Sequence, residues 1–433
     1  MELESKTRRD FLKESSLAMG AIYAGSAFQL SGIVSSCSSQ HSIVPVSELK
    51  TPVAIAMWDY SWILRHHRYG SFENWDKTLE ELAERGYNAI RMDVMPQFVA
   101  AGTNGKIQHS FRSVKTATGP VPWGNDMTMT FNPREALLEF LPKCKEYGIK
   151  VGLSTWFMRH GTERKDIFME EGGLLRAWDE TLTFLEQNNM LDNVIYADLL
   201  NEYPNWHGYD WFLNEMNKRS DFKQFKLNNP DANVPGVDFK ADVDQSSELK
   251  KAFYNDFINS LITPLKDKFP QIDFFASLDS GMNLDAIDLK NFDALDYHLW
   301  FHHTGRLPGL DQIRSRKPDS NYKEIYANLL QYWDANKKSL VDWMDERITK
   351  VSDVAKQNSI CCGNTEGWGS IWWFDHTELD WKWIKESAEI CVDLTKKHDN
   401  YKFICTSNFT HPQFAGIWED VAWHRKITSK IKS

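Results

Sequence analysis

From about Pro52 onward the chain alternates short apolar runs with longer stretches in which apolar residues recur every three or four positions. Eight runs stand out: "PVAIAMW", "YNAIRMDV", "IKVGLSTWF", "NVIYADLLNE", "DFFASLDS", "FDALDYHLW", "ICCGNTEGW" and "KFICTSNF". A short continuous apolar run fits a strand buried on both faces, as parallel strands are. The stretches between them carry helix signals. From Asn74 to Gly86, "NWDKTLEELAERG" sets Leu79 and Leu82 on one face and stops at a glycine; from Asn132 to Gly148, "NPREALLEFLPKCKEYG" has an Asn cap, a first-turn proline and a closing glycine. Strands alternating with helices pair in parallel, and eight such units predict closure into an α/β fold, a (β/α)8 TIM barrel over residues 52–433. An open doubly wound sheet would favour a glycine-rich phosphate loop after the first strand, and none follows it.

Two stretches exceed a minimal barrel. Residues 97–131, rich in Gly, Thr and Ser, predict a long loop after the second strand; residues 203–245, with "NNPDANVPG", predict an excursion after the fourth. Both follow strands, so both belong to the face where such barrels keep their active sites.

Composition narrows the chemistry. With 42% hydrophobic residues in 433, the chain can bury a large core. Its 18 tryptophans exceed what one core needs, so some are expected on a binding surface. Aromatic faces stack on sugar rings and on nucleobases alike, and a net charge of -10 repels phosphate, which excludes nucleic acid as partner. At the start, "TRRDFLKESS" places Arg8 and Arg9 before Phe11, Leu12 and Lys13, and small apolar residues follow from Leu17 to Val34. That order predicts a twin-arginine export signal over residues 1–36, hence a periplasmic or membrane-anchored protein. "VSSC" ends at Cys37 and fits a lipoprotein box; acylation there would be the only membrane contact, with simple signal cleavage as the alternative. Residues 37–51 read as a linker. The other cysteines, Cys144, Cys361, Cys362, Cys391 and Cys405, are odd in number and lack a C-x-x-C pair, so small buried core residues are expected rather than a zinc site or disulfides.

Candidate chemistry sits where runs end. "NVIYADLLNEYPN" carries a strand to Asn201 and Glu202, and "ICCGNTEGWGSIWW" sets Glu366 after a strand and before Trp368, Trp372 and Trp373. A second Asn-Glu pair, Asn214 and Glu215, falls inside a helical pattern, where a solvated glutamate needs no explanation. Strand ends converge on one mouth of a barrel, so Glu202 and Glu366 could face each other. Glycoside hydrolysis needs such a pair, one acid to protonate the leaving oxygen and one carboxylate to attack or to activate water.

On these residues the chain, from about residue 52 to its end, resembles the cellulase-like glycoside hydrolases of clan A, with family five the nearest. The resemblance implies a polysaccharide or oligosaccharide substrate, of β-glucan or β-mannan type, and no cofactor. It implies Asn201 as the residue binding the sugar 2-hydroxyl, Glu202 as general acid/base and Glu366 as nucleophile, with retention of configuration. Arg91 in "NAIRMDV" corresponds to an arginine near the nucleophile, His298 and Trp300 to the strand-six histidine and aromatic, and Tyr297 competes for the hydrogen bond to Glu366. The chain departs from the family in three places. Tyr203 intervenes before Pro204, "LSTWFMRH" offers Trp156 or His160 where a histidine motif is usual, and strand eight gives Asn408 and Phe409, with Trp418 only later.

Other readings stay open for several residues. Arg91 could be a structural arginine paired with Asp93, and His298 a satisfied core histidine. Trp58, Trp156, Trp368 and Trp372 could stack on sugar or fill the barrel. Adjacent His66 and His67, like His302 and His303, point to opposite faces of a strand, and without a helical His-x-x-x-His spacing no metal is expected. A non-catalytic sugar-binding lipoprotein on the same barrel, or a transglycosylase, are the alternatives; a metal-dependent hydrolase would need clustered His and Asp at strand ends.

Overall fold

The computed structural model describes residues 44–115, 125–157, 161–203, 217–228, 230, 248–304, 322–371 and 379–433. The export signal over 1–36, Cys37, His160, Asn214, Glu215, Trp372 and Trp373 lie outside them.

All eight apolar runs are strands: β1 (Val53–Asp59), β2 (Ala89–Asp93), β3 (Lys150–Ser154), β4 (Val194–Asp198), β5 (Asp273–Phe275), β6 (Ala294–Trp300), β7 (Cys361–Asn364) and β8 (Tyr401–Cys405). They pair in parallel in the order β6, β7, β8, β1, β2, β3, β4, β5. The chain beyond β5 closes the ring, for Leu278 pairs with Tyr297 and Asp279 with His298 on β6. The barrel is a packed core rather than a pore. Tyr196, Phe275 and Phe403 meet inside it, with ring centroids 4.9, 5.6 and 5.9 Å apart. Gly152 and Gly363 make the room, since a Cβ on Gly152 would stand 2.0 Å from the Tyr196 ring and one on Gly363 2.3 Å from that of Phe403.

Seven helices of ten or more residues surround the barrel among the described residues: Trp75–Glu84, Pro133–Glu146, Gly173–Gln187, Glu248–Lys268, Tyr322–Gln357, Lys382–Thr395 and Val421–Lys432. The two read from sequence start where their caps dictate. Asn74 Oδ1 accepts from Lys77 N at 3.0 Å, Asn132 Oδ1 from Glu135 N at 3.4 Å, and Gly86 and Gly148 take left-handed φ of +84° and +69° past the ends. Between β5 and β6 the short turn Leu284–Ala286 replaces a helix.

The stretch 97–131 is more than a loop: Phe111–Ser113 and Met129–Phe131 form an antiparallel pair. Phe111 lies 4.6 Å from the Phe98 ring, and Phe131 lies 5.8 Å from it, which gives the pair a small apolar floor. Of residues 203–245, the structure describes Tyr203, residues 217–228, including the helix Ser220–Asn228, and residue 230. Part of the expected linker belongs to the barrel, since Val46 is fully buried and Ser47 N donates to Asp273 Oδ2 at 2.6 Å at the start of β5. Cys144, Cys361, Cys362, Cys391 and Cys405 are free and buried.

Candidate active site

The first four strands end in non-glycine residues with positive φ: Asp59 (+36°) on β1, Met95 (+54°) after β2, Phe157 (+50°) after β3 and Glu202 (+49°) after β4. Such conformations are uncommon and cluster where side chains must be aimed. At Glu202 the bend is held from the next strand, because Glu202 N donates to Ser277 O at 3.1 Å.

The mouth gathers two cations among several carboxyls. Arg91 on β2 donates to Glu366 Oε1 at 2.5 Å, to Thr365 Oγ1 at 2.9 Å, and through Nε and a terminal nitrogen to the two oxygens of Asp59 at 3.0 and 2.9 Å. Asn408 after β8 donates to Glu366 Oε2 at 3.2 Å and accepts from Gly367 N at 2.9 Å. His298 on β6 stands between the two glutamates, its Nδ1 2.7 Å from Glu202 Oε1 and 3.6 Å from Glu366 Oε1. Its Nε2 lies 3.4 Å from Asp296 Oδ2 and 3.2 Å from Thr365 Oγ1, and Thr365 Oγ1 donates to Asp296 Oδ2 at 2.5 Å. A carboxylate oxygen of Glu202 and one of Glu366 lie within 4.8 Å of each other.

Electrostatics separate the two glutamates' surroundings. Burial, then the charge of Glu366, push the Glu202 carboxyl up to about 8, against the pull of His298. Burial disfavours the His298 cation, yet the carboxylates of Glu366 and Asp296 and the bonds to Asp296 and Glu202 outweigh it and hold His298 well above its ordinary value. The carboxyl of Asp296 is lowered in turn, because His298, Thr365 and Arg91 overcome its burial. Burial lifts Asp93 to about 7 and Asp198 to about 6.

The sequence candidates separate accordingly. Asn201, Glu202, Arg91, His298 and Glu366 are buried together at the mouth, and Ser277 Oγ lies 3.1 Å from Asn201 Oδ1. Tyr297 does not reach Glu366; one residue before His298 on a strand, it points the other way, and its hydroxyl bonds to Ser280 O at 2.9 Å and Met282 O at 2.8 Å. Asp93 is not the partner of Arg91, since it accepts from Met95 N at 2.7 Å and Trp156 N at 2.8 Å. Trp156 Nε1 donates to Asp59 Oδ2 at 2.8 Å, Trp58 Nε1 to Thr410 O and Trp368 Nε1 to Cys405 O. These three indoles and Trp300 are at most 4% exposed, so none is an open platform at the surface. Trp418 stacks on Arg85, 4.2 Å away, and takes no part in this cluster.

Asp59, Asp296, Thr365 and Asn408 were not singled out as site residues from sequence. Alternation along β6 could have found Asp296, two residues before His298, and Thr365 adjoins Glu366. Asp59 gave no comparable signal.

Among the described residues, Glu202, His298 and Glu366 are the one His/Cys/Asp/Glu group spaced to hold a metal ion. A dication there would compete with Arg91, already 2.5 Å from Glu366. His66 instead stacks on Trp75 at 3.7 Å, His67 pairs with Asp126, and His303 bonds to Ser280.

Residues 55–432 match the family model described as cellulase-like, sugar-binding cellulase-like. A crystal structure from Parabacteroides distasonis ATCC 8503, assigned provisionally as a glycoside hydrolase, is 28% identical and superposes with a TM-score of 0.71, covering 89% of this chain and 94% of its own. An endoglucanase superposes with a TM-score of 0.50 at 10% identity, covering 90% of this chain and 98% of its own, and bears on the fold alone. No curated protein sequence matches the chain. With the family model spanning the whole barrel from β1 to the last helix, the chain belongs to the cellulase-like family and is a glycoside hydrolase on a TIM barrel.

Proposed function

We propose that this hydrolase cleaves β-linked glycans, of β-glucan or β-mannan type, by double displacement with retention, Glu366 acting as nucleophile and Glu202 as acid/base. The observation that carries the reading is that one carboxylate oxygen of Glu202 and one of Glu366 lie within 4.8 Å of each other beyond the ends of β4 and β7. Retaining glycosidases need their carboxyls about 5 to 5.5 Å apart, whereas inverting ones leave room for a water at about 6.5 to 9.5 Å.

The surroundings suit the roles. A carboxyl pushed up to about 8 keeps its proton at neutral pH and can give it to the glycosidic oxygen. The His298 cation donates Nδ1–H to Glu202 Oε1, so the acidic proton belongs on Oε2. Arg91 and Asn408 each hold one oxygen of Glu366, orienting it for attack at the anomeric carbon. Once Glu366 is esterified, its charge no longer raises Glu202, so the Glu202 carboxyl, having given its proton to the leaving group, stays ionised more readily and can accept a proton from the water that breaks the ester.

The test is a panel of aryl β-glycosides and polysaccharides with three proteins. Glu366→Gly should lose turnover, and added azide should restore part of it as the α-glycosyl azide. Wild-type activity in that variant would remove Glu366 from the nucleophile's role. Glu202→Gln should lose most on substrates with poor leaving groups, and equal losses on good and poor ones would remove Glu202 as the acid.

A further inference from the structure

We infer that Asp59, at the end of β1, is a positioning residue that fixes Arg91 so that Arg91 can fix Glu366; the inference rests on the nucleophile assignment above. Three observations converge on it. Asp59 is fully buried and, among the described residues, accepts from Arg91 Nε at 3.0 Å, an Arg91 terminal nitrogen at 2.9 Å and Trp156 Nε1 at 2.8 Å. Two parallel bonds from one guanidinium edge to one carboxylate fix the plane as well as the place of the arginine, as a single bond would not. The same terminal nitrogen that completes this fork reaches Glu366 Oε1 at 2.5 Å, so the setting of the fork sets the nucleophile.

The backbone is bent for the purpose. The pairing of β1 with β2 slips by one residue between Met57 and Asp59, leaving Trp58 as the extra residue. Such slips re-aim side chains beside active sites. Asp59 also takes φ +36°, a left-handed conformation that a short polar side chain tolerates.

Asp59 touches no reacting atom; it acts through Arg91. The test is steady-state kinetics of Asp59→Asn, with folding checked by circular dichroism. The amide presents an N–H2 to the guanidinium in place of one acceptor, so kcat should fall roughly 10- to 100-fold, the range that follows loss of an outer partner at metal-ligating residues, with KM unchanged. Asp59→Glu, which keeps the charge but not the reach, should recover only part of the loss. In an Arg91→Lys background the same Asp59→Asn change should cost little, since the fork is already gone. If Asp59→Asn does not fold, Trp156→Phe removes the indole donor to Asp59 and should lower kcat by a few-fold, an effect that also vanishes in the Arg91→Lys background. Wild-type kcat in the asparagine variant, or equal losses with and without Arg91, would overturn the inference. The azide assay keeps it apart from the nucleophile assignment. In Glu366→Gly no carboxylate remains to be positioned, so adding Asp59→Asn should leave the azide-rescued rate nearly unchanged. If no α-glycosyl azide forms with Asp59 intact, the nucleophile reading fails; if it forms but falls 10- to 100-fold on adding Asp59→Asn, the role of Asp59 fails alone.

Discussion

A catalytic acid held neutral by burial should cost this protein stability at high pH, and the cost can be isolated with Glu202→Gln. Folding raises the Glu202 carboxyl from its ordinary 4.5 to about 8, through burial first and the Glu366 charge second. An acid raised by folding contributes stability in full below its unfolded value and loses it as pH climbs toward the folded one. Across that window the unfolded chain has released a proton that the folded chain retains, so stability falls by about 1.4 kcal/mol per pH unit. From pH 5 to pH 8, where the slope is full only between the two values, the wild-type protein should therefore lose about 3 to 4 kcal/mol that the glutamine variant keeps. The lost hydrogen bond to His298 shifts the variant by an amount that does not follow this slope, so the difference between the two curves is the quantity to read. Urea unfolding of both proteins at pH 5, 6, 7 and 8 measures it. Two parallel curves would refute the reasoning, since they would mean that Glu202 titrates alike in the folded and unfolded chain.

Asn408→Ala removes one donor from Glu366 and one acceptor from Gly367 N; kcat should fall by about 10- to 100-fold, from roughly 1 to 3 kcal/mol per orphaned buried group, in assays on an activated aryl glycoside. Gly152→Ala would place a Cβ 2.0 Å from the Tyr196 ring, so thermal unfolding should show a loss of about 1 to 3 kcal/mol or more. Trp418→Ala loses the stack on Arg85 and the bond from Nε1 to Glu81; the melting temperature should drop while kcat and KM hold, because this indole lies outside the cluster. In wild type, the basic limb of kcat/KM should fall near pH 8, where Glu202 gives up its proton.

Parallel strands buried on both faces write themselves as continuous apolar runs, so all eight were legible, and the runs from Asn193 to Glu202 and from Ile360 to Trp368 displayed their terminal glutamates. Capping made two helices equally plain, since Asn74 and Asn132 mark starts that no later packing overrides. Other features depend on contacts distant in the chain. The missing helix after β5 is one of these, since the chain between Asp279 and Ala294 forms only the turn Leu284–Ala286, which has no strong pattern of its own. The hairpin in 97–131 rests on three phenylalanines that meet only after folding. Tyr297 and Asp93 neighbour site residues in sequence, yet strand alternation turns Tyr297 away from Glu366, and the backbone past β2 and β3 supplies the donors to Asp93. Asp59 was invisible because a one-residue slip in strand pairing leaves no mark on composition.

The bonds that build the site also join the barrel's strands. Arg91 ties β2 to β1 through Asp59 and to β7 through Thr365 and Glu366; Thr365 N and Oγ1 tie β7 to β6 through Asp296. Asn408 links β8 to the segment after β7, and Glu202 N links the end of β4 to the continuation of β5. Each of these charged or polar groups is buried and would be costly if left alone. Closure of the ring therefore satisfies them and sets the two glutamates at their spacing in one event. A strand that slipped by one residue would break an ion pair or a buried hydrogen bond as well as shift its apolar side chains, so polar pairing at the mouth enforces the same register as apolar packing below.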